Sequence, residues 1–566
     1  MKATIILLAA LAVAAASAAV KPNYDQSPFG VNYLKWHYFD RPGGLDDLRT
    51  RMKIMKDAGI YWDRDGFDYG DIHPKPDEWK WDHYDKCVAL AKQEGINLIG
   101  LLLGGPTPRD EAQRKAYGEY VYRVVNRYKD TVKVWEIWNE PNIPSFWKDP
   151  DVKLYTLLVK EAYARAKQAD PTCTVLIGST SGPGQDWFNG IYDNGGWDCC
   201  DGISIHPYAM AANPIEQGLD EELRLVKKCI SKFGTPKPIW STEVGWRART
   251  PQQEEAQATR IVQTYVIHAA NGVHMDYFCM DDYDGWGFVK RDKPLETKLA
   301  YGSVKMLTDA LGSPGAVRFK GYLRMPAGVA CYVFARKGND RVLVVWSNDD
   351  KPRSVQLAQK TGLIAKDILG RPVRITGGKL EVGQTPVIVY GADARRIGKV
   401  SGDFNPYLRK PGSNLLINPS MDSAPGNEPH GWTPGRFFRS DNKGTFATTN
   451  DGRAGSTCVS ISNSTSPAAW DASPIPVDPD KTYTLTGWIK TKAATGRNVI
   501  GLFWYNGSQW HVVGTVCTAA LTGTHDWTRV TVTARPPRDA ALVRVNLISE
   551  NNSGTTWFDD VTMTEQ

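Results

Sequence analysis

The sequence has little cysteine, little clustered charge and few long hydrophobic stretches. Its 566 residues include 9 Cys, and none of their spacings resembles a zinc site, so we infer no metal chemistry from them. The formal net charge is +6 and the basic residues are scattered, so the sequence lacks the footprint of a nucleic-acid-binding protein. Because nine is odd, at least one cysteine is unpaired or pairs between chains; Cys458 and Cys517 could pair with each other.

The only candidate for a membrane-inserted segment is at the N-terminus. Residues 5–16 form an unbroken apolar run preceded by the positive Lys2. A bilayer span needs about 20 apolar residues, so this run is too short for an anchor, and no later stretch qualifies. Residues 16–18 offer a small-x-small cleavage site. We therefore expect residues 1–19 to be a signal peptide and the protein to be secreted, to the periplasm or the extracellular space.

Short apolar strands alternate with amphipathic helices across residues 20–311. Eight strand–helix units recur at a spacing of about 35 residues, which predicts an α/β fold, the (β/α)8 TIM barrel, in preference to an open doubly wound sheet. The predicted strands are 29–31, 60–62, 98–103, 134–137, 175–177, 203–205, 239–240 and 277–279.

The rest of the chain has the pattern of β-structure. Residues 312–394 contain short strands separated by Gly, Asn, Asp and Pro turns, which predicts a small β-sandwich. Residues 395–412 are polar with Pro and Gly, and we interpret them as a linker. Residues 413–566 are again all-β by pattern and have the length of one β-jelly-roll module.

Two of the predicted barrel strands end in a glutamate. Strand four runs into Asn139-Glu140, and strand seven, three units later, runs into Thr242-Glu243. Reactive side chains of such barrels lie at the C-terminal ends of strands, so both glutamates are expected at one rim. A lone rim glutamate caps a helix or pairs with arginine about as often as it reacts, but the pair is the arrangement that glycoside hydrolysis requires.

The motifs around these glutamates resemble those of glycoside hydrolase clan A. The segments are 134–142 (VWEIWNEPN) and 238–246 (PIWSTEVGW), and the resemblance covers the barrel. The form of the first segment is similar to family 39 and its relatives, whereas Glu-Val-Gly-Trp in the second is closer to β-glucanases of the clan. The resemblance implies a retaining hydrolase of β-glycosidic bonds that needs no cofactor for catalysis.

The resemblance also implies a role for each residue of the two motifs and of strands two and six. Glu243 would be the nucleophile, and Glu140 would be the acid that protonates the leaving group and the base that then deprotonates water. Asn139 would hold the sugar 2-hydroxyl. Arg64 and Tyr208 would donate to Glu243 and keep it ionised; for Arg64 the alternative is a salt bridge inside the barrel.

Three further residues are candidates for substrate binding. His206 lies in the motif of strand six, and its alternative role is that of a packed core histidine. Trp246 and Trp286 lie beside the ends of strands seven and eight, where each would stack on a sugar or act as an ordinary hydrophobic cover.

The C-terminal region resembles jelly-roll carbohydrate-binding modules. Its opening, residues 414–422, and its close, residues 557–561, carry the resemblance, which also implies a structural calcium ion. A purely architectural domain is the alternative. The candidate platforms for sugar stacking are Trp470, Trp488, Trp504, Tyr505 and Trp510.

These observations predict an enzyme that acts on a polysaccharide or oligosaccharide. We favour endo-acting β-glycanase activity; an exo-acting β-glycosidase such as a β-xylosidase remains open, because the loops around the cleft decide between them. A non-catalytic carbohydrate-binding protein is the alternative of another class. Retention of both Glu140 and Glu243 argues against it, since a binding protein does not need the pair.

Overall fold

The protein is described here from a computed structural model. The described residues are 27–32, 34, 36–105, 107–208, 212–290, 293–348, 351–402, 405–424, 426–435, 444–507 and 511–566. The predicted signal peptide and Trp510 lie outside them. Among the described residues, no helix has both the length and the apolarity needed to cross a membrane.

Eight parallel strands close into a barrel in chain order, which confirms the predicted fold class. The strands are β1 (Phe29–Asn32), β2 (Trp62–Asp68), β3 (Asn97–Leu103), β4 (Val134–Ile137), β5 (Thr174–Ser181), β6 (Gly202–His206), β7 (Ile239–Val244) and β8 (His274–Phe278). The helices are α1 (Gly44–Asp57), α2 (Tyr69–Ile72), α3 (Asp82–Glu94), α4 (Glu111–Tyr128), α5 (Val152–Ala169), α6 (Gln185–Asp193), α7 (Pro214–Gln217), α8 (Leu219–Ile230), α9 (Glu254–Ala270) and α10 (Leu299–Leu311).

Local sequence sets where the long helices begin. Asp110 accepts a hydrogen bond from the backbone N–H of Gln113, and the two residues form a capping box at the start of α4. Asp151 caps α5 in the same way, through the N–H groups of Lys153 and Leu154. These caps fix the loops that follow β3 and β4.

The barrel interior changes from apolar to polar along the strands. Side chains two residues apart on a strand point to the same face. The apolar layer near the N-terminal ends of the strands is Trp62, Ile99, Val134, Leu176 and Trp240. Two residues further along β2, β4 and β7, the interior holds the buried Arg64, Glu136 and Thr242. This polar layer lies directly beneath the rim that carries the two predicted catalytic glutamates.

Strand β2 differs most from its prediction. It spans Trp62–Asp68 rather than 60–62. The apolar run that predicted the strand ends at the charged residues Asp63 and Arg64, but both side chains are buried. Asp63 accepts a 3.1 Å hydrogen bond from the indole N–H of Trp36, and Arg64 pairs with Glu136. Arg64 is therefore a residue within the strand and not one beyond its end.

A β-domain follows the barrel and shares its core. In its seven-stranded sheet, Tyr332 and Phe334 belong to the barrel core, while Cys331 and Val333 pack into a separate apolar core on the opposite face. Its strands, with the hairpin β9–β10 before them, are β9 (Val289–Lys290), β10 (Lys293–Thr297), β11 (Arg318–Leu323), β12 (Val329–Ala335), β13 (Asp340–Ser347), β14 (Arg353–Gln356), β15 (Ile364–Asp367), β16 (Pro372–Val373), β17 (Lys379–Val382), β18 (Val387–Asp393) and β19 (Val400–Ser401).

The segment 395–412, predicted as a linker, is built into the fold. Strand β19 lies within it and pairs antiparallel with β11, and Ile397 is buried in the core of the β-domain. A two-residue edge strand needs no apolar run, so the polar composition of the segment does not mark it.

The C-terminal module consists of antiparallel strands around its own apolar core. Its strands are β20 (Trp432–Pro434), β21 (Thr445–Thr449), β22 (Cys458–Ser464), β23 (Ala468–Ala472), β24 (Ile475–Pro476), β25 (Tyr483–Tyr505), β26 (Val512–Cys517), β27 (Leu521–Ala534), β28 (Leu542–Glu550) and β29 (Asn552–Glu565). Cys458 and Cys517 are both free, so the pairing that the sequence allowed is not formed. They lie on strands β22 and β26, which are not neighbours in the sheet.

Candidate active site

The two predicted catalytic glutamates come from β4 and β7. Glu243 is part of β7, and Glu140 follows the end of β4 by three residues. Both side chains are largely enclosed, with 17% of Glu243 and 10% of Glu140 exposed. Because the barrel strands are parallel, both carboxylates lie at the C-terminal ends of their strands, where barrel enzymes carry their reactive groups.

Three donors hold the carboxylate of Glu243. The Tyr208 hydroxyl donates to Oε1 at 2.7 Å. Asn32 Nδ2 donates to Oε2 at 3.0 Å, and Arg64 Nη1 donates to the same oxygen at 3.3 Å. Burial and the neighbouring Glu243 carboxylate raise the pKa of Tyr208 well above its usual value, so the phenol stays a donor. Each carboxylate oxygen of Glu243 therefore accepts at least one hydrogen bond.

Glu140 has a different environment. Its Oε1 lies 3.0 Å from Nδ1 of His206. The imidazole is fully buried, and its other nitrogen, Nε2, lies 3.2 Å from Thr242 Oγ1 and 3.3 Å from Ser179 Oγ. The ring is thus fixed by two hydroxyls on one side and presents its other nitrogen to Glu140. His206 is a candidate for substrate binding or a packed core histidine; its ring is fully buried and contacts the candidate acid/base.

Arg64 connects both motifs from inside the barrel. Its Nε donates to Glu136, its Nη2 donates to Asn139 Oδ1 at 2.8 Å, and Nη1 reaches Glu243. Burial opposes the ionised form of Glu136, but the Arg64 guanidinium and neighbouring hydrogen bonds outweigh it and hold the pKa of Glu136 below its usual value. The predicted salt bridge and the predicted donation to Glu243 are both present, because one guanidinium makes both contacts.

The backbone at the end of β4 is strained. Trp138 and Glu140 have φ angles of 65° and 40°, and Ser179 on β5 has a φ of 45°. Non-glycine residues avoid this left-handed region, and strain of this kind clusters at functional sites. The Glu140 N–H donates to the Ser179 carbonyl at 2.9 Å, which joins two of the strained residues directly. The conformation that presents Glu140 is thus maintained by β5.

The two tryptophan candidates have different surroundings. Trp286 is half-buried and contacts Tyr208 edge-to-face, with ring centroids 5.4 Å apart. Trp286 is thus linked to Glu243 through Tyr208, and the Arg247 guanidinium lies 4.4 Å from the centroid of the Trp286 ring. Trp246 is only 7% exposed, belongs to the barrel core and donates from its indole N–H to Thr264 on α9 at 2.9 Å. Its contacts favour the alternative of a hydrophobic cover.

Four residues of the site were missed by the sequence interpretation. Asn32 ends β1 and could have been found by applying the strand-end rule to every strand. Glu136 lies mid-strand, and its two-residue spacing from Val134 was the signal that it points into the barrel. Ser179 and Thr242 are small and common, and only the folded structure shows that both contact His206.

The resemblance of the C-terminal module implies a structural calcium ion. In the part of the chain that the structure describes, no group of three or more His, Cys, Asp or Glu side chains could hold a metal ion.

A separate cavity lies away from the glutamates. It encloses about 830 Å³ between α7, the β-domain and the C-terminal module. Its polar groups contact one another, since Glu216 accepts from Asn213 at 2.7 Å and lies 3.5 Å from His430. The cavity contains neither Glu140 nor Glu243, so its size does not identify it as the reactive site.

Comparison with known proteins gives distant matches. No family model matches the chain. A probable mannan endo-1,4-beta-mannosidase C of Aspergillus terreus is 26% identical over 219 residues, which are 33% of this chain and 49% of the relative, so the match spans about half of that relative's length. An endo-1,4-beta-xylanase/feruloyl esterase of Xylanibacter ruminicola is 29% identical over 85 residues, 12% of each chain.

Among solved structures, a family 39 glycoside hydrolase of Bacteroides cellulosilyticus has a TM-score of 0.54 and 19% identity, and the match covers 65% of this chain and 82% of that one. Other structural neighbours are also glycoside hydrolases of families 39 and 30. The match to the Bacteroides cellulosilyticus enzyme shows that this chain shares the fold of a glycoside hydrolase, the barrel that its motifs predicted.

Proposed function

We propose that this protein is a retaining glycoside hydrolase that cleaves β-glycosidic bonds, with Glu243 as nucleophile and Glu140 as acid/base. The observation that carries the proposal is the different setting of the two carboxylates. Glu243 receives three donors, including a guanidinium, whereas Glu140 contacts an imidazole. Two carboxylates in distinct environments suit the two roles of double displacement.

The reaction would proceed in two steps. In the first, a Glu243 oxygen forms a bond to the anomeric carbon, the glycosidic bond breaks and Glu140 gives its proton to the leaving oxygen. In the second, water attacks the glycosyl-enzyme while Glu140 takes a proton from that water, and the bond to Glu243 breaks. Glu140 is thereby protonated again and Glu243 is free. Asn139, held by Arg64, would bind the sugar 2-hydroxyl, and Trp286 would stack on the ring.

The substrate we favour is a β-linked polysaccharide cleaved internally. The two curated relatives have names that denote endo-acting enzymes on mannan and xylan. An exo-acting β-glycosidase such as a β-xylosidase is the second candidate, because the loops around the cleft decide between the two modes of cleavage. Incubation with mannan, xylan and aryl β-glycosides, followed by chromatography of the products, separates the two. Mixed oligosaccharides indicate endo action, and a single released sugar indicates exo action.

Azide rescue tests the assignment of the two glutamates. With a β-aryl glycoside, Glu140→Ala plus azide should yield the β-glycosyl azide, because azide attacks the intact glycosyl-enzyme. Glu243→Ala should yield the α-azide, because azide replaces the missing nucleophile on the opposite face. Anomer determination by NMR reads the outcome. Exchanged anomers would mean that the roles are reversed, and an inactive wild type would favour the non-catalytic binding protein.

We also propose that the C-terminal module binds glycan on its outer sheet face. Trp488 and Trp557 are half-exposed on this face, whereas Trp470, Trp504 and Tyr505 are buried. The Arg453 guanidinium lies 3.6 Å from the Trp488 ring centroid and covers it, which leaves Trp557 as the more open platform, beside Lys490 at 5.7 Å.

Affinity electrophoresis of the full chain tests this glycan-binding role. In a Glu243→Gln background, in which the barrel cleft can still bind substrate, Trp557→Ala should weaken the retardation by polysaccharide. Tyr192→Ala, which removes an aromatic side chain that is 43% exposed on the barrel, should not. Equal retardation of wild type and Trp557→Ala would favour an architectural module.

We also propose that the protein is exported from the cytoplasm. It is supported by the positive start, the short apolar run and the cleavage pattern of residues 1–19. N-terminal sequencing of protein recovered outside the cytoplasm should give a mature start near Ala19, and retention of Met1 on an intracellular product would contradict it.

A further inference from the structure

The C-terminal module is docked on one side of the catalytic barrel. Several ion pairs join α6 and α8, or residues near their ends, to the module. Lys228 pairs with Asp478 at 2.6 Å, Lys232 pairs with Asp480 at 3.0 Å, and Arg538 pairs with Asp193 at 2.9 Å. Exposed ion pairs of this kind each contribute little to the free energy of folding. Their effect here is to set the orientation of the module on the barrel.

A glycine of the module lies against the backbone of the barrel. Gly507, which follows β25, donates its N–H to Asp186 Oδ1 at 2.9 Å. A Cβ atom at Gly507 would lie 2.5 Å from the Gly184 nitrogen and 2.8 Å from its Cα. Both atoms are backbone, so no side-chain rotation could relieve the contact. Glycine is therefore required at this position by the approach of two backbones.

The barrel segment that Gly507 contacts leads directly to the catalytic site. Gly184 precedes α6, and a Cβ there would lie 2.3 Å from Thr180 Oγ1, so it packs on the end of β5 as closely as on the module. We use the name β5–α6 loop for residues 179–184, which comprise the last three residues of β5 and the turn that precedes α6. One end of this loop, Gly184, contacts the module, and the other end, Ser179, is hydrogen-bonded to the strained backbone of Glu140.

Four hydrogen bonds join the β5–α6 loop to Glu140 and to its neighbours His206 and Asn142. The Ser179 carbonyl accepts from the Glu140 N–H at 2.9 Å, and the Gly182 N–H donates to the His206 carbonyl at 2.9 Å. Asn142, two residues after Glu140, exchanges two bonds of 2.9 Å with the backbone of Ser181. A shift of this loop therefore moves Glu140, its imidazole partner and the turn that follows it. None of the four bonds involves Glu243.

We infer that Gly507 is a positioning residue for catalysis: by packing on Gly184 and Asp186, the C-terminal module holds the β5–α6 loop in the arrangement that aims Glu140 at the leaving oxygen. The inference rests on the proposed function, because it acts through the acid/base role of Glu140. It gives the module a part in the chemistry that is separate from any binding of glycan.

The dependence of rate on leaving group tests this inference. For each variant, kcat/KM is measured on a series of aryl β-glycosides from 2,4-dinitrophenyl to unsubstituted phenyl, because kcat/KM reports only the steps up to formation of the glycosyl-enzyme. Gly507→Ala should lower kcat/KM at least 10-fold on the phenyl glycoside. It should change the value by less than 3-fold on the dinitrophenyl glycoside, whose leaving group needs no proton.

Two further sets of variants separate positioning from general damage. Asp186→Ala should reproduce the leaving-group dependence in weaker form, and Asp186→Asn, which keeps an acceptor for Gly507, should restore wild-type behaviour. If circular dichroism shows that Gly507→Ala does not fold, the two Asp186 variants still test the inference. Lys232→Ala breaks a docking contact that does not reach the β5–α6 loop, so it should leave the leaving-group dependence as in the wild type.

Equal losses of kcat/KM on the phenyl and dinitrophenyl glycosides, or no loss in any variant, would overturn the inference. In either case an active wild type leaves the proposed function intact. A wild type that hydrolyses none of the glycosides would instead reject the proposed function.

Discussion

The Tyr208 hydroxyl donates a 2.7 Å hydrogen bond to Oε1 of Glu243, and the raised pKa of Tyr208, caused first by burial, keeps that donor protonated. A hydrogen bond to a charged group contributes about 1.5–3 kcal/mol, so Tyr208→Phe should lower kcat/KM by about 10- to 100-fold. The loss should be of similar size for good and poor leaving groups, because Tyr208 acts on the nucleophile. Steady-state kinetics on aryl glycosides measures it, and an unchanged kcat/KM would remove Tyr208 from the machinery.

Asn32 gives a prediction based on charge. Its Nδ2 donates to Glu243 Oε2 and to the Thr242 carbonyl, both at 3.0 Å. Asn32→Ala removes one donor, whereas Asn32→Asp places a second carboxylate against Glu243, and like charges at this distance disfavour ionisation of both. We expect the Asp variant to lose at least 10-fold more kcat/KM than the Ala variant. Equal losses in the two variants would contradict this electrostatic role.

The buried pair of Arg64 and Glu136 predicts a stability effect. Their side chains are 2% and 0% exposed. Removing one partner of such a pair leaves an uncompensated buried charge, so Glu136→Ala should lower the free energy of unfolding by about 3–5 kcal/mol. Glu119→Ala is the matched control, because Glu119 pairs with Arg123 on an exposed face and such pairs contribute about 0–1 kcal/mol. Chemical denaturation measures both, and similar effects would count against the buried pair.

The sequence predicted the barrel and both glutamates because each depends on a local pattern. An apolar run marks a strand, and the residue at its end lies on the rim whatever the neighbours are. Asn32 and Ser179 were missed because their importance comes from which strands are adjacent. Strand β2 was misplaced because its charged residues are buried through partners on other strands, such as Glu136. The contact of Gly507 with Gly184 joins residues far apart in the sequence, and no local pattern marks it.

Glu222 on α8 predicts how stability changes with pH. The side chain is 3% exposed, and Gln217 donates to its Oε2 at 3.0 Å. Burial raises the pKa of Glu222 from 4.5 to about 7. Below pH 4.5 the carboxyl is protonated in both the folded and the unfolded chain, so it carries no penalty. Between 4.5 and about 7 the unfolded chain releases the proton while the folded chain keeps it, so stability falls as the pH rises.

Above pH 7 both forms are ionised and the penalty is constant at about 3 kcal/mol, from the size of the pKa shift. Glu222→Gln removes the ionisation and keeps a polar group facing Gln217. The variant should therefore match the wild type in thermal midpoint near pH 4 and exceed it increasingly up to pH 7. Calorimetry at pH 4, 5.5 and 7.5 measures the barrel transition. The control Glu255→Gln, at an exposed side chain, should follow the wild-type curve at all three values. A difference between Glu222→Gln and wild type that does not grow with pH would show that burial of this carboxyl is not the cause.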